Sequence, residues 1–348
     1  MSQSPAPRRC AVLGHPIAHS LSPVLHRAAY RALGLDWGYE AYDVTEAARR
    51  EWLDRAGALG RPGGAADAGW SGFALTRPLK QAVLAVADEV GPLAAALGVA
   101  NTLYRSRAGQ WVADNSDVHG IIAALREARL GGAAPGDAAV DDAGPVTGSP
   151  SKTPGSPSVE GYGSFGGQNQ PLTSTPGGDG ALTGPATVLG AGATAASAVA
   201  ALALAGVRSI EVWAREPARA GAVRRAQAGL GIDGLDVAVV RWPKAGAPRG
   251  RVVVSTLPAG AADPTAERVA ALVRERGPAA LAGRRLLDVA YTPWPTPLAA
   301  AWARGGGAVA SGLDMLLHQA ALQVQWQTGA EQAPLAPMRT ALMAAAGQ

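Results

Sequence analysis

Near its middle the chain reads Thr187-Val-Leu-Gly-Ala-Gly-Ala-Thr-Ala195. The apolar start of this stretch predicts a buried strand, and the Ala-rich segment after the glycines predicts a helix. Gly190, Gly192 and Ala195 fit the pattern G-x-G-x-x-G/A. In that pattern glycine permits a tight turn and lets the backbone approach a pyrophosphate, while alanine allows close helix–strand packing. The stretch therefore predicts a dinucleotide-binding unit.

Apolar runs farther along the chain predict the rest of a parallel sheet. The predicted strands after the glycine turn are residues 210–214, 235–240, 251–255, 285–291 and 308–310. Together with the strand at Thr187 they make a doubly wound parallel sheet of about six strands, the α/β arrangement of a Rossmann domain. A helix over 312–327 and a last helix from Met338 are predicted to follow.

The end of the second predicted strand indicates which dinucleotide binds. An NAD enzyme usually carries an acid there, which holds the ribose 2′-hydroxyl. This chain carries Arg215 followed by Glu216, with Arg219 one helical turn farther along. Arginine suits a 2′-phosphate and therefore favours NADP, while Glu216 keeps NAD open.

A second stretch, Ser71-Gly-Phe-Ala-Leu-Thr-Arg-Pro-Leu-Lys80, indicates where chemistry takes place. Its apolar residues predict a buried strand, and Pro78 predicts the first turn of a helix, which includes Lys80 and continues through the apolar-periodic segment 81–90. The helix dipole makes that a poor place for a cation. The chain has only three lysines and otherwise uses arginine, so a lysine here suggests a group that passes a proton. The alternative is a surface lysine that covers a helix end.

Polar residues near two other predicted helix starts extend the candidate site. The pair Ser22-Pro23 predicts a helix start with Ser22 as N-cap, and Ser20 adds a second hydroxyl at a place that binds anions such as carboxylates. Asn101 and Asp117 precede and follow a predicted hairpin, so both can lie at its open end. The alternative roles are a helix cap for Ser22 or Asp117 and a turn for Asn101.

Composition and charge restrict the class of protein. The 348 residues suggest two domains, and the single cysteine, Cys10, fits a reducing cytoplasm. Residues 1–9 lack the apolar core of a signal peptide. The net charge of +4 comes from scattered residues, so nucleic-acid binding is not expected. Residues 187–207 lack charge and are long enough for a membrane span, but their glycines and alanines favour a buried strand–turn–helix.

Two further features of the sequence predict neither a binding site nor a catalytic site. His15, His19 and His26 straddle a proline and a turn rather than sharing one helix face, so no metal site is predicted. Residues 130–185 are rich in Gly, Pro, Ser, Thr and Ala and have few bulky apolar side chains. Such a segment cannot bury enough surface to offset its conformational entropy, so we predict a disordered insert at about 131–185.

Eight motifs resemble, in the same order, those of the shikimate dehydrogenase family. The resemblance extends over nearly the whole chain except the insert and the extreme termini. The motifs are Gly14-x-Pro-x-x-His-Ser-x-Ser-Pro23, Thr76-x-Pro-x-Lys80, Ala100-Asn-Thr102, Asp114-Asn-Ser-Asp117 with Gly120, Gly190-Ala-Gly192, Ser255-Thr-Leu-Pro258, Asp288-x-x-Tyr291 with Thr296-Pro297, and Gly312-Leu-x-Met-Leu-x-x-Gln319. Any one of these motifs is weak, whereas eight in order are specific.

The resemblance implies an N-terminal α/β substrate-binding domain, residues 1–118 with 312–348, and a Rossmann NADP-binding domain, residues 119–311. It implies reversible reduction of 3-dehydroshikimate to shikimate with NADP, and it leaves open whether the chain forms a homodimer. The cytoplasmic location and the expected lack of nucleic-acid and membrane partners rest on the composition described above. The implied catalytic residues are Lys80 and Asp117. The implied substrate-binding residues are Ser20, Ser22, Thr76, Asn101, Tyr291 and Gln319. The implied cofactor-binding residues are Gly190, Ala191, Gly192, Ala193, Ala195, Arg215, Arg219, Thr256, Leu257 and Gly312.

Departures from the family pattern leave alternatives open. Ala214 and Glu216 stand where the family usually has Asn and Thr on either side of the arginine, so NAD remains an alternative cofactor. The contacts to a carboxylate and to ring hydroxyls would barely distinguish shikimate from quinate or an aminoshikimate. A non-catalytic NADP-binding relative is the remaining alternative, and the intact Lys80, Asn101 and Asp117 argue against it.

Overall fold

The computed structural model describes residues 8–52, 69–128 and 182–347. These residues form two six-stranded sheets with helices packed on them. Within these ranges no helix is both long enough and apolar enough to cross a membrane. The uncharged segment at 187–207 is a strand followed by a helix, as its glycines and alanines predict.

The first sheet is mixed. Its strands are β1 (Arg9–Gly14), β2 (Gly38–Asp43), β3 (Trp70–Leu75), β4 (Glu89–Val90), β5 (Thr102–Arg105) and β6 (Trp111–Asp114), in the order β2-β1-β3-β5-β6-β4. Strand β1 is parallel to β2 and β3, so the carboxyl ends of these three strands meet at one edge. Strand β5 is antiparallel to β3 and begins at that edge, and β6 is antiparallel to β5 and ends there.

The second sheet is parallel throughout. Its strands are β7 (Ala186–Leu189), β8 (Ser209–Ala214), β9 (Asp236–Arg241), β10 (Val252–Ser255), β11 (Arg285–Asp288) and β12 (Ala308–Ser311), in the order β12-β11-β10-β7-β8-β9. This confirms the predicted doubly wound sheet. The strand order reverses between β7 and β10, which is where such sheets bind ligands.

Helices pack on both sheets, and two long ones connect the sheets. The helices are α1 (Ser22–Ala32), α2 (Pro92–Leu97), α3 (Asp117–Glu127), α4 (Ala193–Leu204), α5 (Gly221–Leu230), α6 (Asp263–Arg276), α7 (Pro297–Arg304), α8 (Gly312–Thr328) and α9 (Leu335–Ala346). Helix α3 packs on α4 of the second sheet and on α8, while α8 and α9 return to α1 of the first sheet. The α3–α8 contact is close because of Gly120, where a Cβ atom would lie 2.7 Å from the Met315 carbonyl oxygen.

The predicted helix over 81–90 is wrong. The chain forms a turn after Thr76, then a short 3-10 helix, Ala82–Ala85, and then strand β4. Tertiary pairing overrides the weak helical period, because Glu89 and Val90 join the sheet beside β6 and Val83 is buried beneath the turn. Lys80 therefore lies in a turn, and the helix-dipole argument for its unusual placement does not apply.

The predicted C-terminal limit of the insert is also wrong. Residues 129–181 lie outside the described ranges, but Leu182 is 2% exposed and packs in the core around β7. The Pro185 carbonyl oxygen accepts a hydrogen bond of 2.7 Å from the Arg251 amide. Residues 182–185 therefore belong to the packed second sheet, and the predicted boundary moves to before Leu182.

Replacing residues 130–181 by a short Gly/Ser linker is expected to leave kcat and Tm nearly unchanged, because their composition provides no core to lose. A matched deletion that extends to Pro185 also removes Leu182. We expect it to be less stable by about 2–5 kcal/mol, the usual cost of truncating a buried leucine. Steady-state turnover and thermal melting of both variants check this. A large loss of turnover in the shorter deletion would contradict it.

Candidate active site

The polar residues predicted from separate stretches meet at one edge of the first sheet. Thr76 and Lys80 follow the carboxyl end of β3, and Ser20 and Ser22 follow that of β1. Asn101 precedes β5, which begins at the same edge, and Asp117 follows β6, which ends there. Strand directions thus bring these segments of the chain to one edge of the sheet.

Lys80 and Asp117 form an ion pair at the centre of this edge. The Lys80 Nζ atom lies 2.5 Å from Asp117 Oδ2, and the two side chains are 13% and 3% exposed. The Lys80 carbonyl oxygen accepts a hydrogen bond from the Ala100 amide, which holds the turn against the start of β5. A paired lysine with a small exposed surface fits proton transfer better than the alternative of a solvated surface lysine.

Asn101 joins this pair to helix α8. Its Nδ2 atom donates to Asp117 Oδ1 at 2.7 Å and to Gln319 Oε1 at 3.0 Å. Its Oδ1 atom accepts from the Ser116 amide at 2.7 Å. A backbone N–H can only donate, so this bond determines which way the Asn101 amide points and directs Nδ2 at the carboxylate.

Two buried residues to which the sequence analysis gave no role, Thr102 and Gln323, form hydrogen bonds behind Asn101. The Thr102 hydroxyl donates to Asn101 Oδ1 at 2.9 Å, and Gln323 Nε2 donates to Thr102 Oγ1 at 2.9 Å. Gln323 is 2% exposed and lies one helical turn after Gln319 on α8. The sequence feature that could have identified Gln323 is its spacing from Gln319, because residues i and i+4 of a helix lie on the same face.

The predicted N-cap role of Ser22 is wrong. Helix α1 begins at Ser22, and the preceding Leu21 occupies the cap position without a side-chain hydrogen bond. The Ser20 hydroxyl instead accepts from the Ser22 amide at 3.4 Å. The hydroxyl of Ser22 is therefore not used as a cap, although the residue is only 6% exposed, and the anion-binding interpretation of the two serines remains a prediction.

Thr76 and Tyr291 lie on loops that follow strands of the two different sheets, Thr76 after β3 and Tyr291 after β11. The Thr76 amide donates to the Leu13 carbonyl oxygen, and a Cβ atom on Gly14 would lie 2.1 Å from Thr76 Cγ2, so only glycine admits the threonine there. Strand β11 ends at Asp288, which leaves Tyr291 on the loop, where its Cδ1 atom packs 3.0 Å from the Cβ position of Gly312. Burial raises the pKa of Tyr291, so its phenol stays a hydrogen-bond donor.

The glycine turn lies at the reversal point of the second sheet. Gly190 has φ +109, which favours glycine, and its Cβ position is 2.5 Å from Thr256 Oγ1 and 3.4 Å from Leu257 Cδ2. The Thr256 hydroxyl donates to the Leu189 carbonyl oxygen at 2.9 Å. This brings the predicted cofactor residues after β7 and β10 together, and Gly312 begins α8 at the end of β12.

The start of helix α4 can receive a phosphate. Gly192 occupies the N-cap position with no side-chain cap, so the first amides of α4 remain available. Apart from Gly192 and its chain neighbours Ala191 and Ala193, no atom of the described residues lies within 4 Å of the Cβ position of Gly192, which leaves open space beside this turn. Ala195 is fully buried and lets α4 pack on the sheet. These features fit the pyrophosphate of a dinucleotide.

Arg215 and Arg219 extend from the end of β8 into solvent. Both residues are exposed. The Arg219 guanidinium lies 3.7 Å from the Glu216 carboxylate and forms an ion pair with it. Arg215 follows Ala214, the last residue of β8, where the ribose of a bound dinucleotide is held in Rossmann domains. Arg215 is therefore the better placed of the two for a 2′-phosphate.

The three N-terminal histidines do not converge. His26 is fully buried with its Nδ1 atom 2.9 Å from the Ser22 carbonyl oxygen, and burial lowers its pKa to about 4. His15 Nδ1 lies 2.9 Å from Asp43 instead. Within the described part of the chain, no three His, Cys, Asp or Glu side chains are arranged to hold a metal ion.

Comparisons with known proteins agree with this arrangement. Residues 12–103 match the family model for the shikimate dehydrogenase substrate binding domain. The chain is 32% identical over 330 residues, 91% of its length, to shikimate dehydrogenase (NADP(+)) from Methylobacterium radiotolerans, of which the match covers 90%.

Solved structures extend the likeness to the whole fold. Shikimate dehydrogenase from Mycobacterium tuberculosis shares 35% identity at a TM-score of 0.66, over 97% of this chain and all (100%) of that one. Shikimate 5-dehydrogenase from Thermus thermophilus, in complex with NADP(H) and shikimate, shares 28% identity at a TM-score of 0.63, over 97% and 99% of the two chains. With the match to the Methylobacterium protein over nine-tenths of both lengths, the chain belongs to the shikimate dehydrogenase family.

Proposed function

We propose that this chain catalyses the reversible reduction of 3-dehydroshikimate to shikimate with NADPH. The observation that carries the proposal is the Lys80–Asp117 ion pair, held by Asn101 at the sheet edge where α8 also presents Gln319. The shikimate complex of the Thermus thermophilus relative and the NADP(+)-dependent names of the curated relatives support the same substrate and cofactor.

In this proposal Lys80 acts at the oxygen of the substrate carbonyl. NADPH supplies the hydride when bound. As negative charge develops on the oxygen, the Lys80 ammonium donates a proton or a charge-assisted hydrogen bond to it. Asp117 fixes the direction of the ammonium through Oδ2, while Oδ1 is held by Asn101, so the pair is oriented before the substrate arrives.

The remaining predicted residues recognise the substrate. Ser20 and Ser22 hold its carboxylate, with the Ser22 hydroxyl free for that bond because it caps nothing. Thr76, Asn101 and Gln319 hold ring hydroxyls with Lys80 and Asp117, and Tyr291 lies near the ring. We assign the same residues to the reverse reaction, in which Lys80 accepts the proton.

Ser22→Ala is expected to raise the KM for shikimate about tenfold or more with little change in kcat, because the carboxylate contact exists in ground state and transition state alike. Since Ser22 is not the cap, the free energy of unfolding should change by less than about 1 kcal/mol. Steady-state kinetics and melting of the variant check this. Ser20→Ala is the contrasting variant, because it also removes the acceptor of the Ser22 amide; an unchanged KM in Ser22→Ala would remove that serine from the site.

Arg215→Ala is expected to raise the KM for NADP roughly 10- to 100-fold and to leave the KM for NAD nearly unchanged, because only NADP carries the 2′-phosphate. Arg219→Ala, a matched exposed arginine that already has a carboxylate partner, should have a smaller effect. Steady-state kinetics with both cofactors measure the difference. Equal effects of Arg215→Ala on NADP and NAD would move the phosphate contact elsewhere.

The choice of substrate and cofactor is tested by one experiment. Initial rates with shikimate and quinate, each with NADP and NAD, are expected to be highest for shikimate with NADP. A preference for quinate or NAD would favour the sibling activity, since the carboxylate and hydroxyl contacts suit both substrates. No turnover with any pair, in protein shown to bind NADP, would favour a non-catalytic relative.

The same proposal assigns the two parts of the chain. Residues 1–118 with 312–348 bind the substrate, and residues 119–311 bind NADP. Support comes from α8 and α9, which pack on α1, and from the parallel sheet that carries the glycine turn. We assign the enzyme to the cytoplasm on the strength of its single, buried cysteine. Light scattering of the purified chain distinguishes a monomer from the homodimer that the family resemblance allows.

A further inference from the structure

Asn115 lies between the two sheets and has no role in the proposed chemistry. It follows β6, and its side chain is fully buried. Its Oδ1 atom accepts from the backbone amide of Asp117 at 3.1 Å. Its Nδ2 atom donates to the Val99 carbonyl oxygen at 3.0 Å and reaches Ser197 Oγ at 3.2 Å. One side chain thus contacts three separate segments.

The direction of the Asn115 amide is fully determined. The Asp117 amide can only donate and the Val99 carbonyl can only accept, so Oδ1 must face the first and Nδ2 the second. A buried amide with both ends satisfied in this way cannot flip without leaving a backbone group unpaired. Asn115 is therefore a rigid connector and not a solvated polar residue.

The third contact reaches the predicted cofactor helix. Ser197 is fully buried in α4, and its hydroxyl also lies 3.4 Å from the Ala193 carbonyl oxygen in the first turn of that helix. That first turn follows the glycine turn, where a pyrophosphate would lie. The path from the phosphate-binding end of α4 to the backbone of Asp117 passes through two side chains, Ser197 and Asn115.

We propose that Asn115, through Ser197, is a positioning residue that holds the cofactor helix in register with Asp117. The contact fixes the distance and direction between the element that binds the hydride donor and the pair that protonates the substrate. This inference rests on the proposed function. Hydride transfer depends steeply on such alignment, and a small displacement would slow it without removing any group that touches substrate.

Ser197→Ala is the variant that tests the connection with least disturbance. It removes the neutral hydrogen bonds that the Ser197 hydroxyl makes to Asn115 and to the Ala193 carbonyl oxygen, so we expect kcat to fall about two- to tenfold while the KM values for shikimate and NADP change little. The primary isotope effect with NADPH deuterated at the transferred hydrogen should increase, because the hydride step becomes more rate-limiting. Thr265→Ala, which removes an equally buried hydroxyl on α6, is the control and should leave kcat and the isotope effect unchanged.

A second readout needs neither cofactor nor turnover. In the ligand-free protein, hydrogen exchange at the start of α3 should become severalfold faster in Ser197→Ala, because Asn115 then holds the Asp117 amide less firmly. The Thr265→Ala control should show no change there. If the wild-type chain binds NADP but turns nothing over, the proposed function fails while this exchange measurement still tests the connection.

Asn115→Ala and the double variant complete the test. The fall in kcat should be larger in Asn115→Ala than in Ser197→Ala, because Asn115→Ala also removes the acceptor of the Asp117 backbone amide. Adding Ser197→Ala to Asn115→Ala should then cost nothing further, since the path is already broken. If the two substitutions lower kcat by equal and independent factors, the proposal is overturned. It is also overturned if Ser197→Ala lowers Tm but leaves the isotope effect and the hydrogen exchange at α3 unchanged, because the contact would then be ordinary packing.

Discussion

Lys80→Ala is expected to lower kcat by about 10²–10⁴-fold while the KM for shikimate changes little, because a positioned proton donor acts mainly as charge develops in the transition state. The side chain is 13% exposed and its Nζ atom lies 2.5 Å from Asp117, so truncation removes a cation held at a defined point of the site. Steady-state kinetics in both directions, with shikimate and with 3-dehydroshikimate, measure the loss. Turnover of Lys80→Ala near that of the wild type would contradict the proton-transfer role and would favour the alternative of a surface lysine without a catalytic role.

The control for Lys80→Ala must separate chemistry from stability. Removing one partner of a buried ion pair leaves an uncompensated charge, which costs about 3–5 kcal/mol in buried pairs. Asp117→Asn added to Lys80→Ala removes that charge, so the double variant should recover Tm but not kcat. Lys80→Arg keeps the charge, yet arginine does not release a proton at neutral pH, so it should remain slow. Recovery of kcat together with Tm would show that the lysine is structural.

Asp117→Asn is expected to lower kcat about 10²-fold and to raise the KM for shikimate, because in the proposed mechanism the carboxylate both orients Lys80 and holds a substrate hydroxyl. A carboxylate accepts from Lys80 at Oδ2 and from Asn101 at Oδ1, whereas an amide has a single oxygen. One of these two donors is therefore left facing an NH₂ group. Kinetics and melting of the purified variant provide the measurement.

Asp114→Asn is the matched control for Asp117→Asn. Asp114 precedes the same loop, and burial raises the pKa of its carboxyl, so a neutral amide is better tolerated there. Its carboxyl accepts from the Asn115 amide, at Oδ1 and 2.8 Å, and from the Ala94 amide, and an asparagine Oδ1 can keep the first of these bonds. We expect kcat within a few-fold of wild type. Equal losses in both variants would place the effect in the fold of the loop and not in the Lys80–Asp117 pair.

The local rules of the sequence predicted the second sheet well. The strands and glycine turn at 187–195 follow from apolar runs bounded by glycine, and a parallel sheet buried on both faces needs little more information than that. The prediction failed at segments whose structure depends on partners far along the chain. The helix predicted over 81–90 became a 3-10 helix and a strand, because β6 lies beside it.

The same division applies to the candidate site. Lys80, Asn101, Asp117 and Gln319 could be selected from the sequence as unusual residues at strand ends and in family motifs. Their hydrogen bonds could not be predicted, because Asn101 and Gln319 meet only when α8 returns to the first sheet. Gln323 was missed for the same reason, and Thr102 and Asn115, although they stand in the quoted motifs, were given no role, since a buried polar side chain shows its purpose only through the groups it pairs with.

The sequence by itself determined the parallel sheet, the glycine turn and the candidate residues, because local propensity, glycine geometry and side-chain chemistry act over a few residues. Only the tertiary structure decided that Lys80 lies in a turn, that Ser20 and not Ser22 accepts the first helical amide, and that Leu182 belongs to the core. Each of those outcomes depends on how segments pack in the folded chain. Such contacts are selected by burial and hydrogen-bond satisfaction in the folded protein, which no short stretch of sequence encodes.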